Sequence, residues 1–185
     1  MPLRVIAGQL RGKKLVTVPG CETRPTADRT RESIFNILGS AVRHAHVLDL
    51  FAGTGAFGIE ALSRGADFAL FIENGQEALG VLNRNIQSCR LADRARVLRW
   101  DAAGNLSCLA DGDRKFDLVF LDPPYGTGMI APALRHLADA RCLADKARVV
   151  VEHASAEAVE QTPPLHLQDQ RRYGKTLVSF LTCVL

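Results

Sequence analysis

From residue 46 onward the chain alternates short apolar runs with amphipathic stretches. Five runs, 46–51, 68–73, 95–100, 116–122 and 147–153, read as strands. Those at 68–73 and 116–122 are rich in Leu, Ile, Val and Phe, as strands buried on both faces are. Between them, apolar residues recur at spacings of three and four. That period predicts helices over 56–64, 75–88 and 129–140, with a shorter one near 102–110. Regular alternation of this kind implies an α/β fold, a parallel sheet with helices on both faces. Upstream, Leu3 to Ala7 and Lys14 to Val18 are β-like runs around Gly8-Gln9-Leu10-Arg11-Gly12, which predicts a hairpin. Ile34, Phe35, Ile37 and Leu38 form one helical face, closed by Gly39, with Thr26 or Asp28 as its candidate cap. At the far end, Leu165-His166-Leu167 and Leu177 to Leu181 flank Tyr173-Gly174-Lys175, a second hairpin of antiparallel character. No repeat or linker divides the chain. A single domain is expected, with a basic hairpin and helix over 1–40 and an α/β core over 41–185.

Acids interrupt the apolar pattern at telling places. Asp49 lies in the run Val47-Leu48-Asp49-Leu50-Phe51, and Ala52-Gly53-Thr54-Gly55-Ala56-Phe57-Gly58 follows it. Strand, glycine turn and helix in that order let a ligand approach the backbone near free helix N–H groups. Glu73 ends the next run, 20 positions after Gly53, where a ribose-binding carboxylate belongs in a nucleotide-type βαβ unit. Gly53-x-Gly55-x-x-Gly58 also fits a dinucleotide fingerprint, so NAD is a competing ligand. A carboxylate at Asp49 would repel a pyrophosphate but would pair with a cation. S-adenosylmethionine carries a sulfonium, an α-amino group, a ribose and an adenine, and no phosphate, and it suits this turn better. Asp101, after Val97 to Trp100, is placed to accept from an adenine amine, with Trp100 or Ala102 near the ring. Asp49, Glu73, Asp101 and Asp122 thus stand at or near four successive strand ends, the edge where open α/β sheets bind ligands.

Asp122-Pro123-Pro124-Tyr125 directly follows Phe116 to Leu121. The Asp122 carboxylate and the Pro123 carbonyl are acceptors suited to an amine. The prolines fix φ at about −65° and remove two competing donors. Tyr125 offers a face on which a base can stack. A strand ending in a rigid turn, with Tyr125 in the core, is the plainer reading of the same four residues.

Composition narrows the setting. The 185 residues are 47% hydrophobic and 23% charged, ordinary for a globular domain. No stretch reaches the roughly 18–20 apolar residues that span a bilayer, and Met1-Pro2-Leu3-Arg4 leads into no signal sequence. Five scattered cysteines without a C-x-x-C pair read as free thiols, the five histidines show no metal-ligand spacing, and a cytoplasmic protein without a metal is expected. Charge is uneven. Residues 1–31 hold seven basic and two acidic residues, a net +5 against +3 for the whole chain, which leaves −2 for the rest. A basic N-terminal segment on a near-neutral body suits a phosphate-backbone partner. An uneven but merely solvated surface is the alternative.

Together these motifs resemble the RsmD family of 16S ribosomal RNA guanine-N2 methyltransferases. The residues that carry the resemblance are Arg4 to Gly8, Arg24-Pro25-Thr26-x-Asp28-Arg29-x-Arg31-Glu32-x-x-Phe35-Asn36, Leu48 to Gly55, and Asp122 to Tyr125. It covers nearly the whole chain. The Arg-Pro-Thr segment is its most specific part, because Asp-Pro-Pro-Tyr also occurs in adenine-N6 and glutamine methyltransferases. The resemblance implies a Rossmann-like class I methyltransferase with a seven-stranded, mostly parallel sheet, extended by the N-terminal hairpin and helix. It implies S-adenosylmethionine as cofactor, held by Asp49, Phe51, Ala52, Gly53, Thr54, Gly55, Glu73, Asn74, Asp101, Ala102 and Asp122. An acid commonly stands where Asn74 is, a mild departure. It implies catalysis at Asp122, Pro123, Pro124 and Tyr125. The implied substrate is 16S rRNA within the 30S subunit or its precursor, with no DNA or membrane partner and a monomeric enzyme. Arg11, Lys13, Lys14, Arg24, Thr26, Arg29 and Arg31 are the expected RNA contacts. An adenine-N6 enzyme, a glutamine methyltransferase and a non-catalytic RNA-binding module remain as rivals.

Overall fold

A computed structural model describes residues 2–20, 25–109 and 114–185. Its elements run α1 Pro25–Leu38, β1 His46–Leu50, α2 Ala56–Ser63, β2 Phe68–Glu73, α3 Gln76–Ser88, β3 Ala95–Arg99, β4 Phe116–Leu121, α4 Ile130–Asp139, β5 Leu143–Ala154, β6 Leu165–Tyr173 and β7 Thr176–Cys183. The seven strands form one sheet in the order β3-β2-β1-β4-β5-β7-β6. Only β7 runs against the rest, pairing antiparallel with both β5 and β6. The expected strands, the expected long helices and the C-terminal hairpin are all present, within a residue or two except at β5, which begins earlier.

Apolar runs become central strands because both faces are covered. Val47, Leu48 and Leu50 of β1 and Leu118 to Leu121 of β4 are buried. One face packs beneath α1, α2 and α3, with Phe35, Ile59, Leu62, Phe71, Leu82 and Phe120 at its centre. The other lies beneath α4 and the segment 102–109, with Leu134, Leu137, Val149 and Leu121. Phe35 of α1 sits 5.4 Å from Phe120, and Phe57 stacks on Phe120 at 4.9 Å, so α1 roofs the centre of the sheet. Strand order reverses between β1 and β4, which opens a crevice at their carboxyl ends.

Two expectations need correction, and the N-terminal hairpin takes a particular form. The N-terminal hairpin is present but narrow, with one bridge, Arg4–Lys14. Val5 and Leu15 N–H still cross it to the Lys13 and Leu3 carbonyls, but other donors leave it: Ile6 and Ala7 N–H for the Glu60 carboxylate (2.7 and 3.0 Å), Leu10 N–H for Ser63 Oγ (2.9 Å), and Val16 N–H for Asn85 Oδ1 (2.7 Å). Gly8, at φ +81°, passes so close to the Ser63 carbonyl that any side chain would collide with it. The expected helix near 102–110 shrinks to a 3₁₀ turn, Ser107–Leu109. There the Asp101 carbonyl accepts Gly104 and Asn105 N–H, and Asn105 Oδ1 accepts Ser107 N–H. Finally, α1 starts at Pro25, so Thr26 and Asp28 lie in its first turn and not before it. No helix among the described residues is long and apolar enough to cross a membrane.

Candidate active site

Strand register sets the site. Asp49 of β1 pairs with Phe71 of β2 and Phe120 of β4. Glu73 ends β2, Asp101 follows β3, and Asp122 follows β4. The four acids singled out from sequence therefore share one edge of the sheet.

The turn after β1 is built for close approach. Gly55 has φ +77°, and a Cβ there would run into Leu82 and crowd Ile59 and Phe71. A Cβ on Gly53 would meet only the Phe51 carbonyl, at 3.9 Å, so its open side can face a ligand. Phe51 itself takes φ +58°, an uncommon conformation for a bulky residue. Two carboxylates hold the turn. Glu73 Oε2 accepts Gly53 N–H at 2.7 Å, and its Oε1 accepts Asn74 and Gly75 N–H at 2.8 and 2.7 Å. Asp49 Oδ2 accepts Gly58 N–H at 2.9 Å. The Thr54 carbonyl accepts from Asn85, which also holds Val16. Ala52 is buried and Asn74 exposed.

Burial pushes the Asp49 pKa up to about 8, against the Gly58 hydrogen bond and with Glu73 adding repulsion. A cation beside it would offset that desolvation and restore the ionised form. An acid-rich edge therefore fits the charges of S-adenosylmethionine and disfavours a pyrophosphate. The folded protein holds the Asp49 proton more tightly than the unfolded chain does. This residue's contribution to ligand-free stability should thus decline as pH rises from about 4 to about 8. Urea titrations of wild type and Asp49→Asn across that range check it, with the decline smaller in the variant.

Asp101 is exposed, its Oδ1 accepts Ala103 N–H at 3.0 Å, and Ala102 behind it is buried. Trp100 is partly exposed and bonds the Asn105 carbonyl through Nε1.

At the mouth of β4, Pro123 is buried and Pro124 exposed, and the Pro124 carbonyl accepts from Thr127. Burial raises the Asp122 pKa well above its ordinary value, and Glu152 and then Asp49 add repulsion. Tyr125 is about half exposed (48%), so its ring is not core. Its hydroxyl donates to Glu152 Oε1 at 3.0 Å and lies 3.1 Å from Thr176 Oγ1. Burial also raises the Tyr125 pKa. Glu152 was missed in the sequence, although Val149-Val150-Val151-Glu152 carries the same signal as the other sites, an acid ending an apolar run.

The basic residues divide. Arg11, Lys13, Lys14 and Arg29 are exposed. Arg4, Arg11 and Arg29 line a cavity of about 460 Å³ between the hairpin and α1. Arg24 and the Thr26 side chain lie outside the described part of the structure. Arg31 is the correction. It is buried, its Nη2 donates to the Arg4 carbonyl (2.7 Å) and to Asp28 (3.1 Å), and Phe35 one turn on anchors its helix face to the sheet. It braces α1 and presents no charge to a phosphate.

Fold, glycine turn and acidic edge define a class I methyltransferase with a site for S-adenosylmethionine. The family model described as "Conserved hypothetical protein 95" matches residues 3–182. Ribosomal RNA small subunit methyltransferase D of Escherichia coli K12 is 38% identical over 161 residues, 87% of this chain and 79% of that one. YlbH of Bacillus subtilis 168 is 36% identical over 178 residues, 96% of this chain and 97% of that one. The solved structure of E. coli yhhF superposes with a TM-score of 0.86 at 34% identity, covering 100% of this chain and 99% of that one. The chain belongs to the RsmD family.

Glu73→Ala should weaken S-adenosylmethionine by roughly 1.5–3 kcal/mol through lost charge-assisted bonds to the ribose. Three backbone N–H groups would also lose their acceptor, so the turn itself should loosen. Calorimetric titration reads the affinity. An unchanged value would place the ribose elsewhere.

Proposed function

We propose that this protein is an rRNA methyltransferase that methylates the exocyclic N2 of one guanine in 16S rRNA, in the small subunit or its assembly intermediate. The observation that carries the reading is the pairing, at one sheet edge, of the glycine turn after β1 with Asp122-Pro123 at the end of β4. Family membership supports the rRNA substrate. Bound at the turn, S-adenosylmethionine supplies an electrophilic methyl group on a sulfonium leaving group. Asp122 and the Pro123 carbonyl accept the two N2 protons of a guanine splayed from its loop. That grip favours a pyramidal nitrogen with its lone pair aimed at the methyl, which matters because the conjugated amine is a poor nucleophile. Asp122 then takes the proton that the methylated nitrogen sheds. Glu73 and Asp101 hold ribose and adenine, and Tyr125 covers the base.

Unmodified small-subunit particles, incubated with the protein and S-adenosylmethionine and digested to nucleosides, should yield N2-methylguanosine at one position by mass spectrometry. N6-methyladenosine in its place would favour the rival amine chemistry. No methylated nucleoside at all would favour a binding module.

RNA contact is proposed at Arg11, Lys13, Lys14 and Arg29. Each phosphate neutralised contributes roughly −0.7 to −0.9 to the slope of log K against log salt. Replacing Arg11, Lys13 and Lys14 together should flatten that slope by about two units and leave cofactor affinity alone. An unchanged slope would move the RNA surface, with the exposed Arg171, Arg172 and Lys175 as the next candidates.

A further inference from the structure

We propose that Glu152 selects guanine over adenine, its carboxylate accepting the N1–H of the target base while Asp122 and Pro123 hold the N2 amine. The proposal rests on the guanine reading above and names the residue that enforces it.

Register puts the two acids side by side. β4 and β5 are parallel with Leu121 opposite Val151, so the next rung sets Asp122 beside Glu152. Neighbouring strands lie about 4.8 Å apart. Both residues fall on the face that carries Phe120 and Val150, the face that α1 roofs. Among charged neighbours Glu152 perturbs Asp122 most.

Glu152 is half-buried and only half used. Its Oε1 takes the Tyr125 hydroxyl, and among the described residues no donor reaches Oε2. Arg31 is near enough to favour the ionised form, yet its Nη2 is spent on the Arg4 carbonyl and Asp28. Burial pushes the Glu152 pKa up, while the Tyr125 bond and Arg31 pull it down. A charge-assisted bond from a base N–H would pull it further. The ring that covers the base and the acid that reads it are thus one unit, closed by Thr176.

The chemistry of the two purines decides the match. Guanine presents N1–H and the N2 amine as adjacent donors. Two neighbouring acceptors are their complement. Adenine presents its N6 amine beside the bare lone pair of N1, which an ionised Glu152 repels. One acceptor site would suit either amine, whereas two suit only guanine.

The test uses small-subunit particles rebuilt with rRNA that carries either guanine or 2-aminopurine at the methylated position. 2-Aminopurine keeps the N2 amine and lacks N1–H. Wild type should prefer guanine by about 10- to 100-fold in kcat/KM. Glu152→Gln retains an oxygen for Tyr125 but turns an amide N–H towards N1–H. Its activity on guanine should fall by a similar factor, and its preference should collapse to within about 3-fold. Equal methylation of both bases by wild type would overturn the proposal, and it requires no variant to fold. So would a Glu152→Gln enzyme slowed equally on both bases with the preference intact, since Glu152 would then only anchor Tyr125. Absence of N2-methylguanosine in the mapping experiment would instead sink the guanine reading itself, before this comparison begins.

Discussion

Asp122→Ala is expected to lower methyl transfer by roughly 100-fold or more at saturating RNA and cofactor. The loss falls on positioning. In the proposed mechanism the Pro123 carbonyl alone would then hold the amine, with nothing to aim its lone pair. The fold should not suffer. Asp122 is half-buried, and desolvation together with repulsion from Glu152 and Asp49 raises its folded pKa. An acid with a raised folded pKa favours unfolding once the pH exceeds its unfolded value, because the unfolded chain ionises at lower cost. Removing it should therefore hold or raise the melting temperature at neutral pH. Asp122→Asn keeps one acceptor oxygen and should be less damaging to turnover than alanine. Single-turnover assays beside thermal melts separate the two effects. Near-wild-type turnover in the alanine variant would remove Asp122 from the mechanism.

The parts of the structure that were legible in sequence share a cause. β1 and β4 are buried on both faces over most of their length, so they appear as mainly apolar runs, and an acid such as Asp49 or Asp122 stands out against them. Gly53 and Gly55 mark a turn whose backbone demands glycine. Arg31 misled because a sequence window shows charge but not what lies opposite it. Its helix presents that face to the sheet through Phe35, and the guanidinium follows inward. Tyr125 was read for its ring alone. The hydroxyl partners Glu152 and Thr176 lie 27 and 51 positions away, and no local pattern links them. Glu60, Ser63 and Asn85 were missed for the same reason. Each sits in a helix where a polar residue reads as solvated. Only the return of a segment more than 50 residues upstream covers that face.

Glu60→Ala is expected to cause the largest loss of stability. Glu60 is fully buried in α2, where Gly58 to Ser63 are all buried. Its oxygens accept Ile6 and Ala7 N–H and, at 2.7 Å, Arg64 Nε. Alanine leaves two backbone donors and a guanidinium without their acceptor. Breaking one side of such a buried pair costs about 3–5 kcal/mol. For a domain of this size each kcal/mol shifts the melting temperature by roughly 2–4 °C, so a fall of about 10 °C is expected. The damage should spread along a traceable path. Arg64 also lies 4.8 Å over the Phe35 ring, and Phe35 packs on Phe57 and Phe120 beneath the site. Hydrogen exchange should quicken first at Ile6 and Ala7 and then along α1. RNA affinity should fall with the loosened hairpin, since Arg11, Lys13 and Lys14 ride on it. Val16 keeps its tie to Asn85, and Asn85 its tie to the Thr54 carbonyl. Cofactor affinity should therefore hold. A melting temperature within about 2 °C of wild type would show that water or rearranged backbone replaces the carboxylate, and that Glu60 does not fasten the N-terminal segment to the core.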